Sequence, residues 1–209
     1  MNSISGTSAM RKRCLQPFGN IQNNLTKMIR QGDRIANART GQIMVFLKTA
    51  EETNGQLLQI DCVSPPSTAR EPEHIHPFQE NKFEIISGTC TFSINGTLKI
   101  AKQGDVVIIP PKVRHRFWNS ENTDARYIQE FRPALKIDEF FETFFALSRN
   151  GKLNEKGIPN FFHASLIMLK HKDEIRVASP PWPLQLLTYW TLAPVGLLLG
   201  YRSGYQAKN

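Results

Sequence analysis

The sequence contains few cysteines, and they follow no pattern of known structural use. Its three cysteines, Cys14, Cys62 and Cys90, are odd in number and far apart along the chain. A disulfide framework needs paired cysteines, and a cysteine zinc site needs ligands a few residues apart. We therefore expect free thiols in a reducing cytoplasm, with Cys62 and Cys90 buried in strands as small apolar side chains.

Acidic residues are missing from the start of the chain. Residues 1–27 contain four basic residues and no Asp or Glu, so they carry half of the net charge of +8. They also lack the apolar segment of a secretory signal. We interpret them as a disordered basic arm; a weak likeness to an organelle transit peptide and a native start at Met28 are alternatives. No nucleic-acid recognition motif accompanies this charge, so we expect no nucleic-acid partner.

Charged residues are also missing from Val177 to Tyr201, where leucine is frequent. The length approaches that of a membrane span. Four prolines, Pro180, Pro181, Pro183 and Pro194, leave an uninterrupted apolar helix too short to cross a bilayer. We expect this segment to pack against the rest of the protein or against a second copy. Peripheral contact with a membrane surface and insertion are the alternatives.

The sequence does contain a series of short β-rich segments. Glycine-containing turns separate them, for example Asn54-Gly55 and Asn95-Gly96. Regular short strands with turn signals indicate an all-β barrel or sandwich. The predicted strands are 40–48, 56–63, 83–87, 90–94, 98–101, 106–109, 115–118 and 125–131.

The periodicity becomes helical after Pro133. Apolar residues from Ile137 to Phe145 recur at spacings of three and four, which is typical of one helix face, and Gly151 is a good helix end. A second helix is predicted over 160–171. Its two histidines, His163 and His171, are expected to be surface or packing residues rather than ligands.

Two histidines two positions apart follow a proline-rich loop. Because side chains alternate along a strand, His74 and His76 point the same way. With a third imidazole from another strand, for which His115 is the candidate, such a face suits a divalent transition metal.

The segments that contain these histidines resemble the two signature motifs of the cupin superfamily. Residues 74–88 read HIHPFQENKFEIISG and resemble H-x-H, three or four residues, E, six residues, G. Residues 104–119 read GDVVIIPPKVRHRFWN and resemble G, five residues, P-x-G, two residues, H, three residues, N. The segment that begins at Met28 and the proline-rich tail also resemble bacterial single-domain cupins.

The resemblance implies a cupin barrel, which is a small antiparallel jelly roll or double-stranded β-helix. Residues 28–133 would form this barrel, and residues 134–209 would form a helical extension with an apolar tail. His74, His76 and His115, together with the motif glutamate, would be the metal ligands. The resemblance also implies a homodimer.

The sequence departs from the family at the motif glutamate. With six residues between it and Gly88, Asn81 stands at the motif position, and Glu80 lies one place earlier. If Glu80 faced the interior of a regular strand, Lys82 and Glu84 would follow it, and burying an unpaired lysine is costly. We therefore expect Asn81 in the glutamate's position, as a weak fourth ligand or as a hydrogen-bond donor to a bound substrate. Glu80 could reach the site only through a β-bulge, and it is the candidate general base.

The second motif departs from the family once. Lys112 replaces the motif glycine, so we expect a somewhat different turn before the third histidine. Strand alternation places Phe83, Ile85 and Phe117 inside the barrel, where they would line a pocket for a hydrophobic or aromatic ligand. The same alternation turns Trp118 outward or toward a partner.

Two functions of different classes fit these features. The first is a metal-dependent enzyme, oxygenase- or isomerase-like, that acts on a small apolar or aromatic molecule. The second is a non-catalytic module that binds a small ligand or a partner and has a degenerate metal site. Because Asn is a neutral ligand, zinc, nickel or copper suit the site better than iron or manganese, and a metal-free site is an alternative. The fold itself does not choose between the two functions.

Overall fold

The computed structural model describes residues 29–67 and 69–204. The basic arm 1–27, Cys14 and the possible start at Met28 lie outside the described residues. The strands are β1 (Arg34–Ala36), β2 (Ile43–Lys48), β3 (Leu58–Ser64), β4 (His74–Ile75), β5 (Glu80–Ser87), β6 (Thr89–Ile94), β7 (Thr97–Lys102), β8 (Val106–Ile109), β9 (His115–Trp118), β10 (Ala125–Arg132) and β11 (Arg176–Val177). The helices are α1 (Ile137–Arg149), α2 (Phe161–Lys170) and α3 (Trp182–Leu198).

The strands form two antiparallel sheets. One sheet has the order β1-β2-β3-β10-β5-β8, and the other has the order β11-β4-β9-β6-β7. From β4 to β10 the chain passes repeatedly from one sheet to the other, which is the topology of a double-stranded β-helix. The predicted all-β jelly-roll barrel with C-terminal helices is therefore confirmed.

The barrel interior is filled by alternate side chains of both sheets. Strand β3 shows the pattern most clearly, because buried and half-buried residues alternate over its whole length. Four aromatic rings meet between the sheets, with neighbouring ring centroids 4.9–5.9 Å apart, and they belong to Phe83, Phe92, Phe117 and Tyr127. Cys62 and Cys90 are buried free thiols, as expected.

Two short strands, β1 and β11, were not predicted. Each has only two or three residues, which is too few for an alternating pattern to be visible in the sequence. They exist because a neighbouring strand supplies hydrogen-bond partners: β1 pairs with β2, and β11 pairs with β4.

The first helix packs on the barrel. Ile137, Phe140 and Leu147 of α1 belong to the same hydrophobic cluster as the barrel interior. At its C-terminal end the Ser148 hydroxyl donates a hydrogen bond to Asn37 Oδ1 at 2.7 Å. The helical extension and the barrel therefore share one core.

The second and third helices pack against each other. Ala193 and Gly196 of α3 are buried, and a Cβ at Gly196 would lie 3.2 Å from the Phe162 side chain. His163 and His171 are both buried. The surface alternative for these two histidines is wrong, and the packing alternative holds.

The apolar tail forms a helix of 17 residues, α3, which is too short to cross a bilayer, as expected. Helix α3 runs through Pro194, which is exposed, so the carbonyl that loses its N–H partner can be hydrated. Among the described residues, no helix combines the length and the apolar character needed to cross a bilayer. Several large side chains of α3 stay exposed, including Leu184, Leu187, Trp190 and Leu198.

Candidate metal centre

The three motif histidines lie together inside the barrel. His74 opens β4 and stands opposite His115 of β9 in the strand register, while His76 follows β4 directly. Their ring centroids are 4.5 Å apart for His74 and His115, 5.1 Å for His74 and His76, and 5.3 Å for His76 and His115. One nitrogen from each ring lies within 4.8 Å of the others, and all three residues are buried.

A backbone carbonyl fixes each imidazole. Nδ1 lies 3.0 Å from the Pro72 oxygen in His74, 2.6 Å from the Glu174 oxygen in His76 and 2.9 Å from the Val113 oxygen in His115. A carbonyl oxygen only accepts, so Nδ1 carries the proton in every case. Nε2 is then the unprotonated nitrogen of each ring.

The histidines are held in their neutral form. Burial lowers the pKa of His74 and lowers that of His76 well below its ordinary value, with the neighbouring imidazoles adding to the shift of His76. Burial, followed by the effect of His74, lowers the pKa of His115 to about 4. Three neutral imidazoles at pH 7 are the form that binds a metal ion.

The donor set fits a divalent transition-metal ion. Among the described residues, His115 Nε2 is buried without a hydrogen-bond partner, and an unsatisfied buried nitrogen is costly unless something binds it. Imidazole nitrogens suit zinc, copper, iron and nickel. Carbonyls that hold Nδ1 are the usual outer partners of metal-binding histidines. The three histidines are thus positioned to bind a metal ion.

The turn before His115 keeps the conformation of a glycine. Lys112 has a φ of 67°, in the left-handed region that favours glycine. Its backbone N–H donates to the His76 oxygen at 2.8 Å. This hydrogen bond holds the loop against the strand end that carries His76.

Asn81 faces the barrel interior, as strand alternation predicted. Asn81, Phe83 and Ile85 are buried, whereas Glu84 is exposed and Lys82 is half-buried. Lys82 lies near the carboxylates of Glu84 and Glu130 on the outer face, at 3.6 Å and 4.0 Å.

The side chain of Asn81 already has a hydrogen bond. Its Oδ1 accepts from Gln129 Nε2 at 3.1 Å, and Gln129 Oε1 lies 3.9 Å from the Cys62 sulfur. The oxygen that would coordinate a metal ion is thus engaged, which leaves the Asn81 Nδ2 donor as its other polar group.

Glu80 does not join the histidine cluster. It stands opposite Arg132 in the ladder between β5 and β10, while its neighbour Asn81 stands opposite Phe131. The irregularity in this ladder falls at the other end of the strand, between Arg126 and Tyr127, so no bulge turns Glu80 inward.

A different carboxyl group, that of Glu71, approaches the site from the proline-rich loop. The residue is exposed, and its carboxyl group accepts a hydrogen bond from the Phe117 N–H. Desolvation of the carboxyl group raises the pKa of Glu71 to about 7, against the opposing effects of His115 and of that hydrogen bond. Sequence reasoning missed this residue, because it lies outside both motifs and its loop gave no periodic signal.

The predicted pocket residues lie in the aromatic cluster of the barrel. Phe83 and Ile85 are fully buried in the core, and Phe117 is partly exposed beside Phe83 at 4.9 Å. Trp118, which strand alternation turns outward or toward a partner, is buried within this chain. The Arg70 guanidinium stacks over its ring at 4.3 Å.

The centre of the chain matches a known protein family. Residues 61–129 match the family described as "Cupin domain". An oxidoreductase from Arthrobotrys oligospora is 28% identical over 158 residues, covering 67% of this chain and 58% of that protein. Protein SchB from Streptomyces halstedii is 29% identical over 97 residues, covering 46% of this chain and 68% of SchB. The chain therefore spans less than two thirds of the length of the first of these relatives.

Two solved structures are similar to about half of this chain. A predicted oxalate decarboxylase from Thermotoga maritima is 24% identical, with a TM-score of 0.44, covering 51% of this chain and 98% of that one. A protein from Klebsiella pneumoniae with a double-stranded β-helix domain is 20% identical, with a TM-score of 0.40, covering 45% of this chain and 78% of that one.

Proposed function

The chain belongs to the cupin superfamily, and from this we propose that its barrel binds a divalent transition-metal ion through His74, His76 and His115. We propose further that it acts on a small apolar or aromatic molecule in an oxygenase- or isomerase-like reaction. The similarity to a protein named as an oxidoreductase supports an enzyme over a purely structural role.

The arrangement of the three histidines carries this proposal. Each Nδ1–H is bound to a backbone carbonyl, and each ring is neutral at pH 7. Packing alone does not require three imidazoles to place one nitrogen each within 4.8 Å of the others. The convergence of unprotonated nitrogens is the feature that a metal ion requires.

The residues around the histidines have distinct roles in this proposal. A bound ion would supply Lewis acidity to an oxygen of the substrate. Asn81 Nδ2 would donate a hydrogen bond to the substrate, because Gln129 occupies the Asn81 oxygen. Glu71, with its pKa raised to about 7, would transfer a proton near neutral pH. Phe117, which is partly exposed, would contact the apolar part of the substrate.

A second function, a non-catalytic ligand-binding module, is favoured by one observation. The family's charged glutamate is replaced by a neutral network of Asn81, Gln129 and Cys62. That network leaves three neutral ligands and weakens the hold on a divalent ion. A homodimer, a cytoplasmic location, membrane contact through the apolar tail and the lack of a nucleic-acid partner remain predictions.

Metal content separates the two functions. Elemental analysis of untagged protein should find close to one equivalent of metal, and His76→Ala should lose most of it. His163→Gln is the matched control, because it changes a histidine outside the cluster, and it should keep the metal. If reconstitution with zinc, nickel, copper, iron or manganese leaves no bound metal, or if His76→Ala binds as much as the native chain, the enzyme proposal is wrong.

A further inference from the structure

Part of the C-terminal extension is paired with the strand that carries the histidines. Strand β11 runs antiparallel to β4, with Val177 opposite His74 and Arg176 opposite Ile75. The Ala178 N–H donates to the Glu73 oxygen at 2.8 Å and continues this pairing. The extension thus supplies the edge strand of the sheet beside His74.

The same segment provides the hydrogen-bond partner of His76. The carbonyls that accept from His74 and His115 lie only two residues earlier in the chain, at Pro72 and Val113. His76 is different, because its acceptor is the Glu174 carbonyl, 98 residues away. Only for His76 does the tautomer depend on a distant part of the chain.

Both ends of the segment 174–178 are held. At the start, the Glu174 carboxylate accepts from the Lys136 N–H at 3.2 Å. At the end, the buried Gln185 of α3 donates from Nε2 to the Val177 oxygen at 2.9 Å and to the Pro180 oxygen. Gln185 therefore ties the segment to the third helix.

We propose that the segment 174–178 is part of the metal centre, where it sets the orientation and tautomer of His76, and that Gln185 is a positioning residue that acts through it. The inference deepens the proposed function and rests on it only for the metal ion. The histidine geometry that it concerns exists in the metal-free protein. Helix α3 is thereby coupled to the centre although it contributes no ligand.

Two variants loosen the segment while leaving all three motif histidines unchanged. Gln185→Met keeps the side-chain volume and removes both donated hydrogen bonds, and Glu174→Ala removes the acceptor for Lys136. Thr188→Ala is the matched control, because its hydroxyl bonds within α3 to the Leu184 oxygen and does not contact the segment. All three are measured as full-length proteins, with thermal unfolding recorded in parallel.

The readouts are Co²⁺ affinity and the imidazole ¹⁵N chemical shifts of metal-free protein. Gln185→Met and Glu174→Ala should bind Co²⁺ about 10- to 100-fold more weakly, as expected when an outer partner of a metal ligand is lost. Only His76 should lose its single Nδ1–H tautomer, while Thr188→Ala keeps both properties.

The two readouts fail separately. If native protein binds no Co²⁺, the metal-centre proposal is wrong, yet the ¹⁵N shifts of His76 still test the positioning role. If both variants only lower the melting temperature, with the His76 shifts and Co²⁺ affinity unchanged, the segment is structural and our inference is overturned. Should one variant not fold, the other gives the same decision from the opposite end of the segment.

Discussion

At the scale of single residues, the centre is built from neutral groups. Backbone carbonyls, not carboxylates, hold the three imidazoles, and an amide stands where the family has a carboxylate. Burial of neutral imidazoles disfavours their protonated form. The centre is therefore sensitive to acid even without a bound ion.

This sensitivity predicts a loss of stability in mild acid. The pKa of His115 is about 4 in the folded chain against 6.5 ordinarily, so the unfolded chain takes up a proton first as the pH falls. The stability is present above the ordinary value and is lost as the pH falls from there toward 4. Between pH 7 and pH 5 the metal-free protein should lose about 2 kcal/mol through His115 alone.

Urea unfolding of metal-free protein at the two pH values measures this loss. His115→Gln cannot titrate and should show a correspondingly smaller difference between pH 7 and pH 5. An equal difference in both proteins would mean that His115 is not buried in its neutral form.

Sequence reasoning identified the residues of the centre better than it identified their partners. The H-x-H spacing and strand alternation placed His74 and Asn81 correctly, because both depend on local geometry. Glu71 and Glu174 were missed, since each reaches the centre through tertiary packing of a loop or a distant segment. Residue type and spacing alone carry no signal for such approaches.

At the scale of secondary-structure elements, turns decide where the strands end. Gly88, the last residue of the first motif, separates β5 from β6 with a φ of 74°. A Cβ there would lie 2.5 Å from the Asp124 oxygen and 2.9 Å from the Ala125 Cα, both in backbone that a side-chain shift cannot move. Gly96, in the next turn, has a similar φ of 82° and open space around it.

The two glycines form a matched pair for mutation. Gly96→Ala should cost about 1–2 kcal/mol, the penalty for a left-handed alanine. Gly88→Ala also creates a clash with the backbone, which should destabilise the protein by about 1–3 kcal/mol more than Gly96→Ala does. Chemical denaturation of both variants measures the difference. Equal losses would show that the turn at Gly88 has room to move, and that the motif glycine is needed only for its φ.

The elements that the sequence did not predict are those that depend on a neighbour. The predicted strands coincide with turn signals and alternation, which are local. Strand β11 forms through its pairing with β4, and α3 continues through Pro194 while packed on α2. Tertiary contacts overrode the local preference at both places.

At the scale of the whole molecule, the extension and the barrel are joined in two places. Helix α1 contributes Ile137 and Phe140 to the barrel core, and β11 extends the sheet that carries His74. Two parts that share a core and a sheet are expected to unfold together, although the sequence alone divides them near Pro133.

Tryptophan fluorescence can test this cooperativity, because Trp118 lies in the barrel wall and Trp182 begins α3. Variants that keep either Trp118 or Trp182 as the single tryptophan of the three in the chain should give coincident urea transitions. Ile137 is fully buried where α1 packs on the barrel. Ile137→Ala should lower the free energy of unfolding by about 2–5 kcal/mol and shift both urea midpoints together. Leu198→Ala, at a position that is 88% exposed, is the control and should change the free energy of unfolding by no more than about 0.5 kcal/mol.

If Ile137→Ala instead separates the transitions, so that the Trp182 signal is lost while the Trp118 signal persists, the extension is an independent unit. His76 would then lose its partner Glu174 before the barrel unfolds.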